Sequence, residues 1–368
     1  MFGLIFTSLI TFSHLYFFWR AASVPFVRKH FSVKAWTVVA ISLWLLFVAG
    51  LFYGHWQDDL MAQWLELAGM TWMGILFLLV TSFLAVEVVT GGGCFFSPLA
   101  RTLRGAALAT GLVLSAIAIH QGTSPPTVSE FAVTLPGLPP VLDGKVLLAV
   151  SDLHLGSLRR EKWLADRISQ IEALHPDMVL MVGDIFEGHG GSKLQRPLVE
   201  MMRELKAPLG VWGVPGNHEF YGGPQTIKAL ENGGVRLLRN SWAEAQPGLV
   251  LAGVEDHSFS RRPEDGADLT VKALTGKPPG AVILLSHKPW RAEEAAQSGV
   301  GLMLSGHTHD GQIWPFNYLV GHFFPLLAGR YEVGSMSVLV CRGTGSWGAP
   351  MRLWRPGEIL RITIRADH

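Results

Sequence analysis

Apolar residues are spread unevenly along the chain. Before residue 121 they gather into four long runs, roughly 2–19, 36–53, 70–89 and 103–120. Each is close to the ~20 residues needed to cross a bilayer. None has the polar stripe of a helix in a water-soluble bundle. Nothing basic precedes the first run and Arg20 follows it, so it reads as a retained anchor rather than a cleaved signal. Trp19, Trp36, Tyr53 and Trp72 sit near run ends, where amphipathic rings favour the headgroup layer. After residue 120 the pattern changes. A short polar, proline-bearing stretch, 121–126, leads into the alternating segment 131–135, and short apolar runs then alternate with amphipathic ones. Strands are predicted at 145–151, 178–182, 210–214, 249–254, 281–286, 302–305, 333–341 and 360–364, with helices at 161–174, 194–205 and 226–232. That order predicts an α/β domain, and its β-rich end predicts two facing sheets covered by helices. The expected organisation is a four-helix transmembrane region (1–120), a linker (121–130) and an α/β/β/α sandwich (131–368).

Loop charge orients the first region. Arg20, Arg28, Lys29 and Lys34 lie between the first two runs, and Arg101 and Arg104 between the last two. The middle loop carries Asp58, Asp59 and Glu66 with no Lys or Arg. The positive-inside rule then puts the first and third loops in the cytoplasm, so the globular domain of this multi-pass chain is expected outside it, at the cell (inner) membrane. Two polar residues fall within the runs. His14 reads as packed against a neighbouring helix, and Glu87 as reaching out to the interface. Over the whole chain, 16% of residues are charged, 49% are hydrophobic and the net charge is +1. That balance gives no reason to expect nucleic-acid binding. Cys94 and Cys341 lack metal-type spacing and fall in segments assigned to opposite sides, so no disulfide is expected.

The chemistry lies just past the ends of the predicted strands. Asp152 and His154 follow one, Asp184 another, Asn217 and His218 a third, His287 a fourth, and His307 and His309 a fifth. Strand ends are where open α/β sheets form their sites, and short glycine-bearing loops there let side chains turn towards one centre. Asp, Asn and His offer oxygen and nitrogen donors suited to Mn, Fe or Zn rather than a thiolate site. Seven such donors exceed the needs of one ion. They suit two ions, ~3.5–4 Å apart, that activate a bridging water and clamp a phosphoryl group. His189, His257 and Asp256 lack such a setting and read as loop or structural residues.

In order, the blocks DxH, GD, GNHE, H and GHTH resemble the calcineurin-like metallophosphoesterase superfamily. The closest branch is the membrane-anchored bacterial one, similar to proteins described as transmembrane with a metallophosphoesterase domain. The resemblance implies that Asp152, His154 and His309 bind one ion and that Asn217, His287 and His307 bind the other. Asp184 would bridge the two, Mn being the favoured metal. His218 matches the non-ligand histidine that stabilises the transferring phosphoryl group or protonates the leaving oxygen. One departure stands out: the branch usually reads GHTHGGQ, whereas here Asp310 follows His309. The implied function is a membrane-anchored, dimetal phosphohydrolase in which a metal-bridging hydroxide attacks phosphorus. The aromatic stretch 311–327 either packs into the core, or lips the site or dips into the outer leaflet. In the second case the phosphate ester would be a lipid or lipid-linked one. Competing readings are a cytoplasmic-facing pyrophosphatase of a nucleotide-linked lipid precursor and a membrane receptor or scaffold without turnover.

Overall fold

The computed structural model describes residues 2–55, 57, 59–95, 97–187, 192–256 and 269–367. His189 and His257 lie outside them. The chain divides into a helical unit, Met1–Thr123 with Gly348–Trp354, and a globular unit, Ser124–Trp347 with Arg355–His368.

The helical unit is built from α1 (Phe2–Ala21), the short α2 (Pro25–His30), α3 (Val33–Ala49), α4 (Leu60–Thr90) and α5 (Ser97–Thr123). Among the described residues three segments are long and apolar enough to cross a membrane: Val33–Gly54, Leu60–Gly93 and Leu99–Thr123. Four were expected. The first run does form the 20-residue α1, which is not among these three. Helix α4 starts where Asp59 accepts a hydrogen bond from the Ala62 N–H (2.8 Å), and it ends at Gly91, whose φ of 56° is the left-handed cap that glycine adopts without penalty. Phe17, Phe47, Trp72, Leu76 and Phe83 form its core. Gly50 and Gly69 let α3 and α4 approach backbone to backbone, since a Cβ on Gly69 would lie 2.9 Å from Leu46 O.

Glu87 goes beyond its sequence reading. It is held by two guanidinium groups, Arg20 and Arg104, with Arg104 Nε 2.8 Å from Oε1, pairings that the sequence reading did not include. His14 is buried and satisfied at both nitrogens, by Ala40 O at 2.9 Å and the Trp72 indole N–H at 3.4 Å. Glu66, read as a loop residue, is buried in α4 and paired with His55 at 3.0 Å. Near its end the chain rejoins this unit, where the Arg352 N–H donates to Ala118 O at 2.8 Å.

Twelve strands of the globular unit form two six-stranded mixed sheets. In the first, β1 (Thr127–Leu135), β12 (Glu358–Ala366), β2 (Val146–Val150), β3 (Met178–Val182), β4 (Val211–Val214) and β5 (Arg236–Leu237) lie in that order, with β2 to β5 parallel. In the second the order is β10 (Gly329–Val333), β11 (Met336–Val340), β9 (Leu302–Ser305), β8 (Ala281–Ser286), β7 (Leu249–Val254) and β6 (Ser241–Gln246). Strand alternation builds three cores. Leu147, Ala149, Ile283 and Leu285 meet between the sheets. Leu148 and Val150 face α6 (Glu161–Glu172), α7 (Ser192–Met202) and α9 (Pro224–Asn232), with the five-residue α8 (Asn217–Tyr221) between the last two in chain order. Val282 and Leu284 face α10 (Leu269–Leu274) and α11 (Ala292–Gln297). Being buried on both faces is why these strands read as unbroken apolar runs.

Three differences from the sequence expectations have local causes. The single strand expected at 333–341 is the hairpin β10–β11, turned at Gly334 (φ 60°). Strand β6 went unseen because it is a sheet edge with a polar, half-buried pattern. Part of the expected linker is regular structure, since α5 runs to Thr123 and β1 begins at Thr127.

Candidate metal centre

Asp152, His154, Asp184, Asn217 and His218 follow the carboxyl ends of β2, β3 and β4 in the first sheet. His287, His307 and His309 follow β8 and β9 in the second. The loops are joined by backbone bonds: Asp152 N–H to Gly183 O and His154 N–H to Asp184 O, both 3.0 Å, and Gly306 N–H to His287 O, 2.9 Å. Glycine supplies close approach, because a Cβ on Gly183, Gly216 or Gly306 would overlap His287, Asp184 or Asp152 respectively. It does not supply most of the turning. Asp152, His154, Asp184, His307 and His309 themselves take left-handed backbones, with φ between 50° and 70°. For non-glycine residues that conformation costs about 1–3 kcal/mol each and gathers at functional sites.

Ring nitrogens and carboxylates converge there with too few protons. His287 donates Nδ1–H to Val182 O (2.8 Å), so its Nε2 lone pair faces Asp184 Oδ2 at 3.1 Å. His154 Nδ1 lies 2.6 Å from Glu187 Oε2, so its Nε2 faces His309 Nε2 at 3.2 Å. His309 Nε2 is also 3.3 Å from Asp152 Oδ1, and His307 Nδ1 is 3.3 Å from His287 Nε2. Lone pairs this close repel unless a proton or cation lies between them. Burial works against a proton on His287, yet the Asp184 carboxylate beside it outweighs burial and raises its pKa to about 10. Burial and the neighbouring His287 charge push His307 down. Asp152 and Asp184 are buried carboxylates. Burial raises their pKa values, but His309 beside the first and His287 beside the second more than offset it and hold both well below the usual range.

These groups fit a pair of metal ions. Two clusters, Asp152–His154–His309 and Asp184–His287–His307, each bring ligand atoms within 4.8 Å of one another. Asn217 fits too: its Oδ1 is buried and unpartnered, while its side chain hydrogen-bonds the Tyr221 hydroxyl at the other end of α8. Histidines that hold metal typically give their second N–H to a carbonyl or carboxylate, as His287 does here to Val182 O.

Two residues that sequence reasoning passed over organise this centre. Glu219 is fully buried and accepts four backbone N–H bonds, from Asp184, Ile185, Phe186 and Gly216, at 2.7–3.0 Å. It fixes the loop that carries Asp184 to the loop that carries Asn217. Glu187 serves both sides: its carboxylate meets His154, and its carbonyl accepts from His218 Nδ1 at 2.9 Å. Burial lowers the His218 pKa, but the Glu187 and Asp184 carboxylates raise it more. The signals in the sequence were slight, a carboxylate three residues after Asp184 and another directly after His218.

Other expectations resolve nearby. Asp310 takes the left-handed backbone (φ 51°) that its position requires, and its carboxylate is paired with Arg355 at 3.2 Å, which screens the extra charge beside His309. Asp256 is buried in an ion pair with Lys288 at 3.0 Å. Gln312 exchanges two hydrogen bonds with the Trp347 backbone, at 3.0 and 2.8 Å, bringing the Trp347 ring within 6.5 Å of the His218 ring.

Residues 145–311 match the model of the calcineurin-like phosphoesterases, a span that contains all eight predicted site residues. An uncharacterized metallophosphoesterase of Aquifex aeolicus is 33% identical over 255 residues, covering 65% of this chain and 91% of the relative. The transmembrane protein with metallophosphoesterase domain of Danio rerio is 33% identical over 267 residues, 69% of this chain and 60% of the relative. That of Bos taurus is 32% identical over 271 residues, with the same coverage of 69% and 60%. The chain thus spans 60% of the length of these two relatives. It belongs to the calcineurin-like metallophosphoesterases.

Proposed function

We propose that this chain is a membrane-anchored phosphohydrolase that uses two divalent ions. The observation that carries the reading is the convergence of buried carboxylates and bare ring nitrogens from five loops, an arrangement that a cation pair would stabilise. Asp152, His154 and His309 would hold one ion, and Asn217, His287 and His307 the other, with Asp184 between them. Such a pair supplies Lewis acidity and a water of lowered pKa. The protein's own residues do the rest. Glu187 and Val182 O orient the ligand histidines, and Glu219 holds the Asp184 loop. With Nδ1 committed to Glu187 O, His218 has Nε2 left to give a proton to the leaving oxygen. Mn is the favoured metal, and a lipid or lipid-linked phosphate ester the favoured substrate. The globular domain (131–368) would follow four spans (1–120) through the linker 121–130 and lie outside the cytoplasm.

Full-length protein purified in detergent and supplied with Mn should hold about two ions per chain and hydrolyse an aryl phosphodiester. Absence of metal-dependent turnover would overturn the proposal. Orientation has a built-in reporter. Cys94 is exposed in the turn after α4, whereas Cys341 is buried, its thiol pushed up to about 12 by burial. An impermeant maleimide should label Cys94 only after cells are permeabilised. Labelling of intact cells would favour a cytoplasmic catalytic domain instead.

A further inference from the structure

Helix α12 (Phe316–Phe323) begins a few residues after His309 and turns the usual polarity of a surface helix around. Its one buried residue is the polar Asn317. Its exposed residues are Phe316 (44% exposed), Leu319 (52%), Phe323 (66%) and Tyr318 (71%), all large and apolar or aromatic, together with His322 near its end. Phe316, Leu319 and Phe323 follow the i, i+3, i+7 spacing of one helix face. No Lys, Arg, Asp or Glu lies between Asp310 and Arg330. The apolar surface is continuous with the candidate metal centre. Phe324, next to Phe323, packs its ring 5.1 Å from the His307 ring and stacks at 5.7 Å on the partly exposed Trp290. Thr308, in the ligand loop, donates to Leu327 O at 2.5 Å, tying the segment after α12 to that loop.

We infer that α12 is a membrane-interface helix, seated in one lipid leaflet and leading lipid-borne phosphate esters along Phe323, Phe324 and Trp290 to the metal centre. A leaflet is the occupant that fits, because the chain itself carries segments long and apolar enough to cross a bilayer. Aromatic and aliphatic side chains on one face of a helix suit the boundary between headgroups and acyl chains. With no Lys or Arg, and with His322 its only basic residue, the helix draws its attraction from apolar burial, so binding near neutral pH is indifferent to anionic lipid. The inference rests on the proposed phosphohydrolase activity for its substrate half but not for its membrane half.

Full-length protein carrying Cys94→Ser and Leu319→Cys tests it, since the remaining Cys341 is buried. A nitrobenzoxadiazole label at position 319 is read in phosphatidylcholine nanodiscs, with a label at the exposed Lys228→Cys as reference. Nitroxide-bearing lipid should quench the label at 319 by about twofold or more and leave that at 228 alone, equally with and without phosphatidylglycerol. Quenching by a water-soluble nitroxide only, or shielding from both quenchers as under a second copy of the chain, would overturn the inference. The pair Tyr318→Ser and Leu319→Ser should keep the wild-type rate on a soluble aryl phosphodiester and lose about tenfold on a phosphate ester embedded in vesicles. Equal loss on both substrates overturns the inference while sparing the proposed activity. A wild-type protein idle on both substrates with Mn present, yet quenched by lipid, overturns the activity alone.

Discussion

Both units of this protein bury charged and polar side chains, but they treat them oppositely. In the helical unit every such group discussed above has a partner of the right kind. Glu87 takes two guanidinium groups, and His14 donates with one nitrogen and accepts with the other. At the metal centre, His154 Nε2 faces His309 Nε2 and the His287 ring faces the Asp184 carboxylate, contacts that need a proton or a cation between them. A satisfied buried group serves the fold. An unsatisfied cluster on strained backbone stores free energy that only a ligand can release. The contrast separates Glu87 from Asp184 more firmly than hydropathy does.

The sharpest break in the comparison is Asp184→Asn. Removing the charge proposed to bridge the two ions should cost more activity than the ~10–100-fold typical of outer-shell changes, with a fall in bound metal by elemental analysis. The domain should still give a native circular dichroism spectrum. Next comes Glu87→Gln, which leaves Arg20 and Arg104 without a counter-charge. It should cost about 3 kcal/mol in detergent unfolding and leave the rate on a soluble substrate unchanged. A loss of turnover without loss of stability would reverse the roles assigned to these two carboxylates. Glu187→Gln should lower turnover by ~10–100-fold, because it disturbs a ligand histidine and lies against His218. The smallest effect belongs to Asp310→Gly. Relief of the left-handed backbone and loss of a partly exposed ion pair nearly cancel, so stability should move by less than ~1 kcal/mol.

How much of this was legible in the sequence follows from what periodicity records. Strands β3, β7, β8 and β9 were readable because both of their faces are buried, so each is an unbroken apolar run ending in chemistry-bearing residues. The structure brings the eight singled-out residues to one end of the two sheets. Glu187 carries no such mark. It sits in a loop, and its importance comes from where two histidines fold against it. The face of α12 was ambiguous for a related reason: exposed and buried apolar helices look alike in one dimension, and only the inward Asn317 tells them apart. The pairing of Glu87 was not legible because its partners lie 67 and 17 residues away.

The two sheets contribute to the candidate metal centre in near-equal shares, Asp152, His154, Asp184 and Asn217 from one and three histidines from the other. Ions held among them would therefore act as a rivet between layers whose shared core is apolar. Chelation should then register in mechanics as well as chemistry: a lower melting temperature, and earlier amide exchange along the rim where both layers end.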